Sequence, residues 1–201
     1  MVVQQLKKEI KKAAIIEHEE YVKELLRFII RDLADFRLLQ GDNTLGGMVI
    51  CETSEQARKL YKFFDEIQAE LNGVFASYPT AFKANIILYD TDDKETRKQI
   101  VYDFKKNMTV DLLIVFNMLL TGFDAPRLKR LYFGRKLDGH NLLQAITRVN
   151  RPYLEMQRGY VIDFADIKKN FEQTNAAYLK ELNRFNNPTG EADAPDITDT
   201  L

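Results

Sequence analysis

Residues 111–152 read DLLIVFNMLLTGFDAPRLKRLYFGRKLDGHNLLQAITRVNRP, and their pattern decides the fold. The run Leu112 to Phe116 is apolar at every position, as a strand buried on both faces must be. A loop with Thr121-Gly122-Phe123-Asp124 follows, and then a second apolar run, Leu131-Tyr132-Phe133. The stretch closes in helical periodicity. At ~100° per residue, Gln144, Arg148 and Arg151 share one side, while Leu142, Ala145, Ile146 and Val149 fall on the other. Pro152 biases Arg151 out of helical geometry, which places it at the helix exit. An apolar strand, a polar loop from its C-terminal end and an arginine-bearing helix belong to parallel α/β domains, whose ligands collect at strand ends.

Working outward, the same alternation recurs. Strands are expected at Met48-Val49-Ile50-Cys51, Ile86–Tyr89, Asp111–Phe116, Lys129–Phe133 and Gly159–Phe164. Between them, Thr53-Ser54-Glu55-Gln56 is a capping-box pattern that opens a helix with Ala57, Leu60, Tyr61, Phe64, Ile67 and Leu71 inward. Thr91-Asp92-Asp93 caps a second helix, to about Lys106, with Ile100, Val101 and Phe104 inward. The fold class is therefore α/β: a parallel sheet of about five or six strands, helices on both faces and flanking helices at both ends.

Residues 4–40 carry Leu6, Ile10, Leu25, Phe28, Ile29, Leu33 and Phe36 at helical spacing, with no Pro or Gly until Gly41. That length favours two helices, and leaves open whether they pack on this sheet or on a neighbour. The organisation expected is a helical lead-in over 1–45, the sheet domain over 46–165, a helix over 166–185 and a disordered acidic tail over 186–201.

Composition bounds the rest. With 29 Lys and Arg against 30 Asp and Glu, the net charge is -1, so no global basic field marks a nucleic-acid binder, though a local patch is compatible. The lone cysteine, Cys51, allows no intrachain disulfide. No apolar run reaches membrane-spanning length, no membrane partner is expected, and the expected location is cytoplasmic. His18 and His140 are too few and too scattered for a metal cluster, so no protein-built metal site is expected.

From periodicity alone, the Gln-Arg-Arg stripe reads first as an ordinary solvated helix face with two arginines. The wording of the residues adds to this. LLQAITRVNRPY resembles motif VI of superfamily 2 helicases and translocases, with Gln, Arg at +4 and Arg at +7. That resemblance implies that Arg148 and Arg151 reach the γ-phosphate of ATP, Arg151 as the arginine finger, with Gln144 lining the cleft. Phosphoryl transfer needs such forked positive donors where charge develops. The loop Leu120–Pro126 resembles motif V, which implies nucleotide contact for Gly122 and Asp124 and a nucleic-acid backbone contact for Thr121; alone it reads as common turn chemistry. Most of the superfamily carries Arg where this chain has Thr121. Val49–Ser54 resembles motif IV, which implies a nucleic-acid contact for Thr53 and Ser54, against simple helix capping.

Together LLIVFNMLLTGFDAPRLKRLYF, GHNLLQAITRVNRPY and GYVIDFADI look like the restriction (R) subunit of type I restriction–modification enzymes. The resemblance runs from about Gly46 to Ala177 and implies a second RecA-like motor domain of an ATP-dependent DNA translocase and endonuclease. It also implies double-stranded DNA, ATP with Mg2+, a first RecA-like domain, a nuclease domain, and methyltransferase and specificity subunits as partners. No Gly-x-x-x-x-Gly-Lys-Ser/Thr loop occurs in the chain, so the phosphate cradle is expected on that first domain and the chain alone is expected to be inactive. The competing expectations are the C-terminal half of another superfamily 2 helicase, or a RecA-like scaffold without catalytic duty.

Overall fold

The computed structural model describes residues 12–74, 81–90, 93–118, 123–137 and 139–165. Its centre is β1 (Gly46–Ile50), which is buried along its whole length. On one side β1 pairs with β3 (Leu112–Val115), and β3 with β2 (Ala84–Ile87). On the other it pairs with β4 (Leu128–Phe133), and β4 with β5 (Tyr160–Asp163). All four pairings are parallel and the order is β2-β3-β1-β4-β5. The expected parallel α/β sheet is present, with five strands among the described residues.

Alternation along the strands sends side chains into two layers. Val49, Leu112, Ile114 and Tyr132 join α1 (Glu19–Gln40) and α2 (Ser54–Val74) on one face. Met48, Ile50, Leu113, Val115, Leu131 and Phe133 join α3 (Lys94–Tyr102) and α4 (Gly139–Val149) on the other. Packing on both faces is why these strands are apolar throughout.

Local chemistry sets the ends of the helices. The lead-in breaks at Glu17-His18, and His18 caps α1 by accepting from the Glu20 N–H through Nδ1. Gly41, at φ 64°, ends α1 in the left-handed region that glycine adopts without penalty. Asp93 caps α3 by accepting from the Thr96 N–H, and α3 ends in a single π-helical turn, Asp103–Asn107.

One inward expectation is corrected: Tyr61 is exposed, because it points off the sheet-facing side of its helix. Phe28, also exposed, meets the Phe164 ring edge-on at 5.4 Å. Whether the lead-in packs on this sheet is answered for α1: Val22, Leu25, Leu26, Ile29, Ile30 and Leu33 lie in the sheet's own core. The helix expected over 166–185 and the tail over 186–201 lie outside the described residues.

One irregularity shapes the site. β1 places Gly46 opposite Leu128 but Gly47 opposite Arg130, so Lys129 is an extra residue, a bulge in β4. Leu128 and Lys129 thereby both serve the α4 side, while Arg130 turns to the α1 side and pairs with Asp32 at 2.7 Å.

Candidate functional site

The candidate residues separate to opposite edges of the sheet. Thr53 and Ser54 follow β1 at its C-terminal end. The arginines lie at the other end, because α4 runs back along the sheet before β5 begins. Among the described candidate residues, only Thr53 and Ser54 thus stand at the carboxyl ends of the strands, where ligands of parallel α/β sheets collect. The connection is short and holds α4 antiparallel to β4, so the end of α4 meets the start of β4.

Three contacts hold that end in place. The Lys129 ammonium donates to the Val149 carbonyl at 3.4 Å and to the Arg151 carbonyl. Tyr153 Oη and Thr44 Oγ1, the latter just ahead of β1, share a hydrogen bond of 2.8 Å. Gly159 fits tightly against Val149: a Cβ there would lie 2.6 Å from both the Val149 Cβ and its carbonyl oxygen. Leu142, Ala145 and Val149 bury the inner face of α4 as their spacing predicts.

The motif V and motif VI segments meet here. The Arg148 guanidinium donates to the Phe123 carbonyl. Arg151 Nε lies 3.2 Å from Asp124 Oδ1, with both side chains about half exposed, at 52% and 55%. Phe123 and Ala125 are buried on either side of Asp124, which directs its carboxylate outward. Burial lowers the Arg148 pKa, the neighbouring Arg151 charge lowers it further, and Asp124 opposes both. Arg148 remains cationic at neutral pH all the same, since a guanidinium holds its proton far more tightly than any other side chain. Two cations thus share one carboxylate beside an accessible surface, an arrangement suited to an incoming anion. Gln144 stands one turn before Arg148 on the same helix, half-buried. Thr121 and Gly122 lie outside the described residues.

At the opposite edge, the Thr53 hydroxyl accepts from the Gln56 N–H at 3.0 Å and donates to Glu17 Oε1 at 2.6 Å. Gln56 Oε1 reaches back to the Glu52 N–H at 2.9 Å. Lys59 Nζ donates to the Glu17 carbonyl at 2.7 Å, so the lead-in is tied to this helix start. Thr53 is engaged in capping; Ser54 is half-buried beside it. Among the described residues no group of three or more His, Cys, Asp or Glu side chains could hold a metal ion, and no helix is long and apolar enough to cross a membrane.

Lys129 escaped the sequence reading. Its signal was available: a lysine inside LKRLYF, an otherwise buried strand, needs a partner that periodicity does not name.

The family described as type I restriction enzyme subunit R domain 3 matches residues 48–166, more than half of the chain. The chain belongs to this family. Among curated relatives, it is 37% identical over 126 residues to the putative type I restriction enzyme MjaVIIP endonuclease subunit of Methanocaldococcus jannaschii, covering 58% of this chain and 12% of that one. It is 26% identical over 220 residues to the MjaVIIIP subunit of the same organism, covering 98% and 20%. The HindI endonuclease subunit of Haemophilus influenzae is 34% identical over 100 residues, covering 48% and 9%. The chain therefore spans a fifth or less of the length of these endonuclease-subunit relatives. Among solved structures, it is similar to the helicase domain of Pyrococcus furiosus Hef, at 19% identity and a TM-score of 0.46, covering 88% of this chain and 32% of that one.

Proposed function

We propose that this R subunit domain is the second RecA-like motor domain, spanning 46–165, and forms the far wall of an ATP cleft in the intact subunit. The observation that carries the reading is the meeting of Arg148, Arg151 and Asp124 at one half-exposed point. Arg148 is anchored on the Phe123 carbonyl, whereas among the described residues Arg151 is held by an exposed ion pair, which is weak in water and exchangeable for a phosphate. Arg151 is the arginine finger in this reading. Arg148 steadies the wall and contributes charge, and Asp124 holds Arg151 in reach when no nucleotide is present. Gln144 and Gly122 line the same cleft.

The nucleotide, ATP with Mg2+, is cradled by the first RecA-like domain. Closure of the cleft brings the arginines to the γ-phosphate, where they offset the charge that develops as the bond breaks. Ser54 and Thr121 belong to the duplex-DNA track, with Thr53 shaping the helix start that carries Ser54. Cycles of closure and opening drive translocation along double-stranded DNA. Cleavage belongs to the nuclease domain and target choice to the methyltransferase and specificity subunits. The isolated domain hydrolyses no ATP.

Arg151→Ala in the intact R subunit is expected to lower DNA-stimulated ATP hydrolysis by at least about 10³-fold, the usual scale for an arginine finger. Its melting temperature should match the wild type, because the lost ion pair is exposed. Wild-type turnover by Arg151→Ala would falsify this assignment.

A further inference from the structure

We propose that Lys129 is a positioning residue for Arg151: from a bulge in β4 its ammonium grips the backbone at the exit of α4 and sets where the arginine projects. This inference rests on the arginine-finger reading of Arg151. Three independent features point to it.

The first is register. The step from Gly46 opposite Leu128 to Gly47 opposite Arg130 leaves Lys129 unmatched across β1. Bulges re-aim side chains, and this one aims a lysine at the helix end instead of spending it on the ladder. The second is the bonding. Lys129 is fully buried, and its amine donates to the carbonyls of Val149 and Arg151, both at the C-terminal end of α4. The Val149 carbonyl closes the helix without an intrahelical donor and lies at the negative end of its dipole, so a cation there is favoured, and the Arg151 carbonyl two residues on is tied to the same ammonium. The third is what the grip controls. Arg151 is the last residue before Pro152, its side chain meets an exposed carboxylate, and its backbone is the fixed reference for its reach. Burial lowers the Lys129 pKa, so the ammonium is held against a desolvation penalty that an ordinary strand residue would not incur.

A lysine serving only the fold would show its loss in stability alone, as the Val149 and Arg151 carbonyls lose this donor. Positioning shows in turnover by the folded protein, because a shift of about 1 Å in a group that acts on the transition state can cost 10²-fold.

The test uses the intact R subunit with three variants assayed together: Lys129→Met, which keeps length and removes the donor; Lys129→Gln, which keeps N–H donors; and Arg151→Ala. Each is measured for melting temperature, and for kcat and KM of DNA-stimulated ATP hydrolysis, normalised to folded protein. Lys129→Met is expected to lower kcat by roughly 10²-fold with KM for ATP within about threefold of wild type, and Lys129→Gln to recover part of the loss. Wild-type kcat in folded Lys129→Met overturns the inference, as does a loss that vanishes on normalisation. Failure of both lysine variants to fold also overturns it, by making Lys129 a folding residue alone. Arg151→Ala separates the two claims. If it turns over normally, the arginine reading fails and the positioning inference with it. If it is inactive while Lys129→Met is normal, only the positioning inference fails.

Discussion

At the scale of single residues, buried cations decide more of this molecule than its net charge of -1 implies. Arg127 is fully buried beneath the candidate site and donates to three carbonyls: Thr44 at 2.5 Å, Phe104 at 2.6 Å and Val110 at 2.9 Å. It thereby ties the loop before β1 to the π-helical turn after α3 and to the approach to β3. Arg37 makes the tighter contact to the nearby Asp111, at 2.6 Å against 3.6 Å for Arg127, so the fork of carbonyl bonds is the main role of Arg127. Desolvation lowers the Arg127 pKa, opposed first by Asp111. Arg127→Ala should leave three buried carbonyls without a donor and cost about 3–5 kcal/mol, read as a lower urea midpoint at unchanged slope. Arg127→Lys should recover only part, because an ammonium cannot span the fork. A stability of Arg127→Ala within about 1 kcal/mol of wild type would contradict this account.

At the scale of elements, the two ends of the sheet use helix termini differently. At the C-terminal edge, α2 begins under a side-chain cap in which Thr53 and Gln56 satisfy N–H groups that the helix cannot. Thr53→Ala should therefore cost about 1 kcal/mol and Thr53→Asn very little, measured by chemical denaturation of the chain. Equal stability of Thr53→Ala and wild type would count against capping as its role. At the N-terminal edge, α4 ends on Lys129, and a negative helix end is matched by a cation brought from a strand. Each terminus is completed by residues that the linear spacing only partly announces: Thr53-x-x-Gln56 is legible as a motif, whereas Lys129 and Arg151 are far apart in sequence.

At the scale of the whole molecule, α1 is a structural layer of this domain. Its buried residues, from Val22 to Leu33, cover the face formed by Val49, Leu112, Ile114 and Tyr132. Polar links reinforce the contact: Asp32 accepts from Tyr132 Oη and from Arg130, each at 2.7 Å. Each fully buried aliphatic side chain is worth about 1.5–3 kcal/mol, so this layer contributes on the scale of the entire stability of a domain, about 5–15 kcal/mol. Removal of residues 1–40 should abolish cooperative unfolding and leave a chain that binds hydrophobic dyes. A truncated chain with a sharp two-state melt would refute that.

The sequence by itself determined the α/β class, the parallel direction of the strands and most helix caps, because these depend on periodicity and on groups a few residues apart. It also determined that Gln144 and Arg148 share a side of one helix. Tertiary structure alone decided three things. Asp124 meets Arg151, and Arg148 meets Phe123, because the residues leading into β4 lie against the end of α4. The arginines stand at the opposite sheet edge from Thr53, because α4 runs antiparallel to β4. The exit of α4 is gripped by Lys129, because a one-residue bulge re-aims a strand side chain. Contacts of this kind depend on register and chain direction, which hydrophobic spacing along a single chain does not encode.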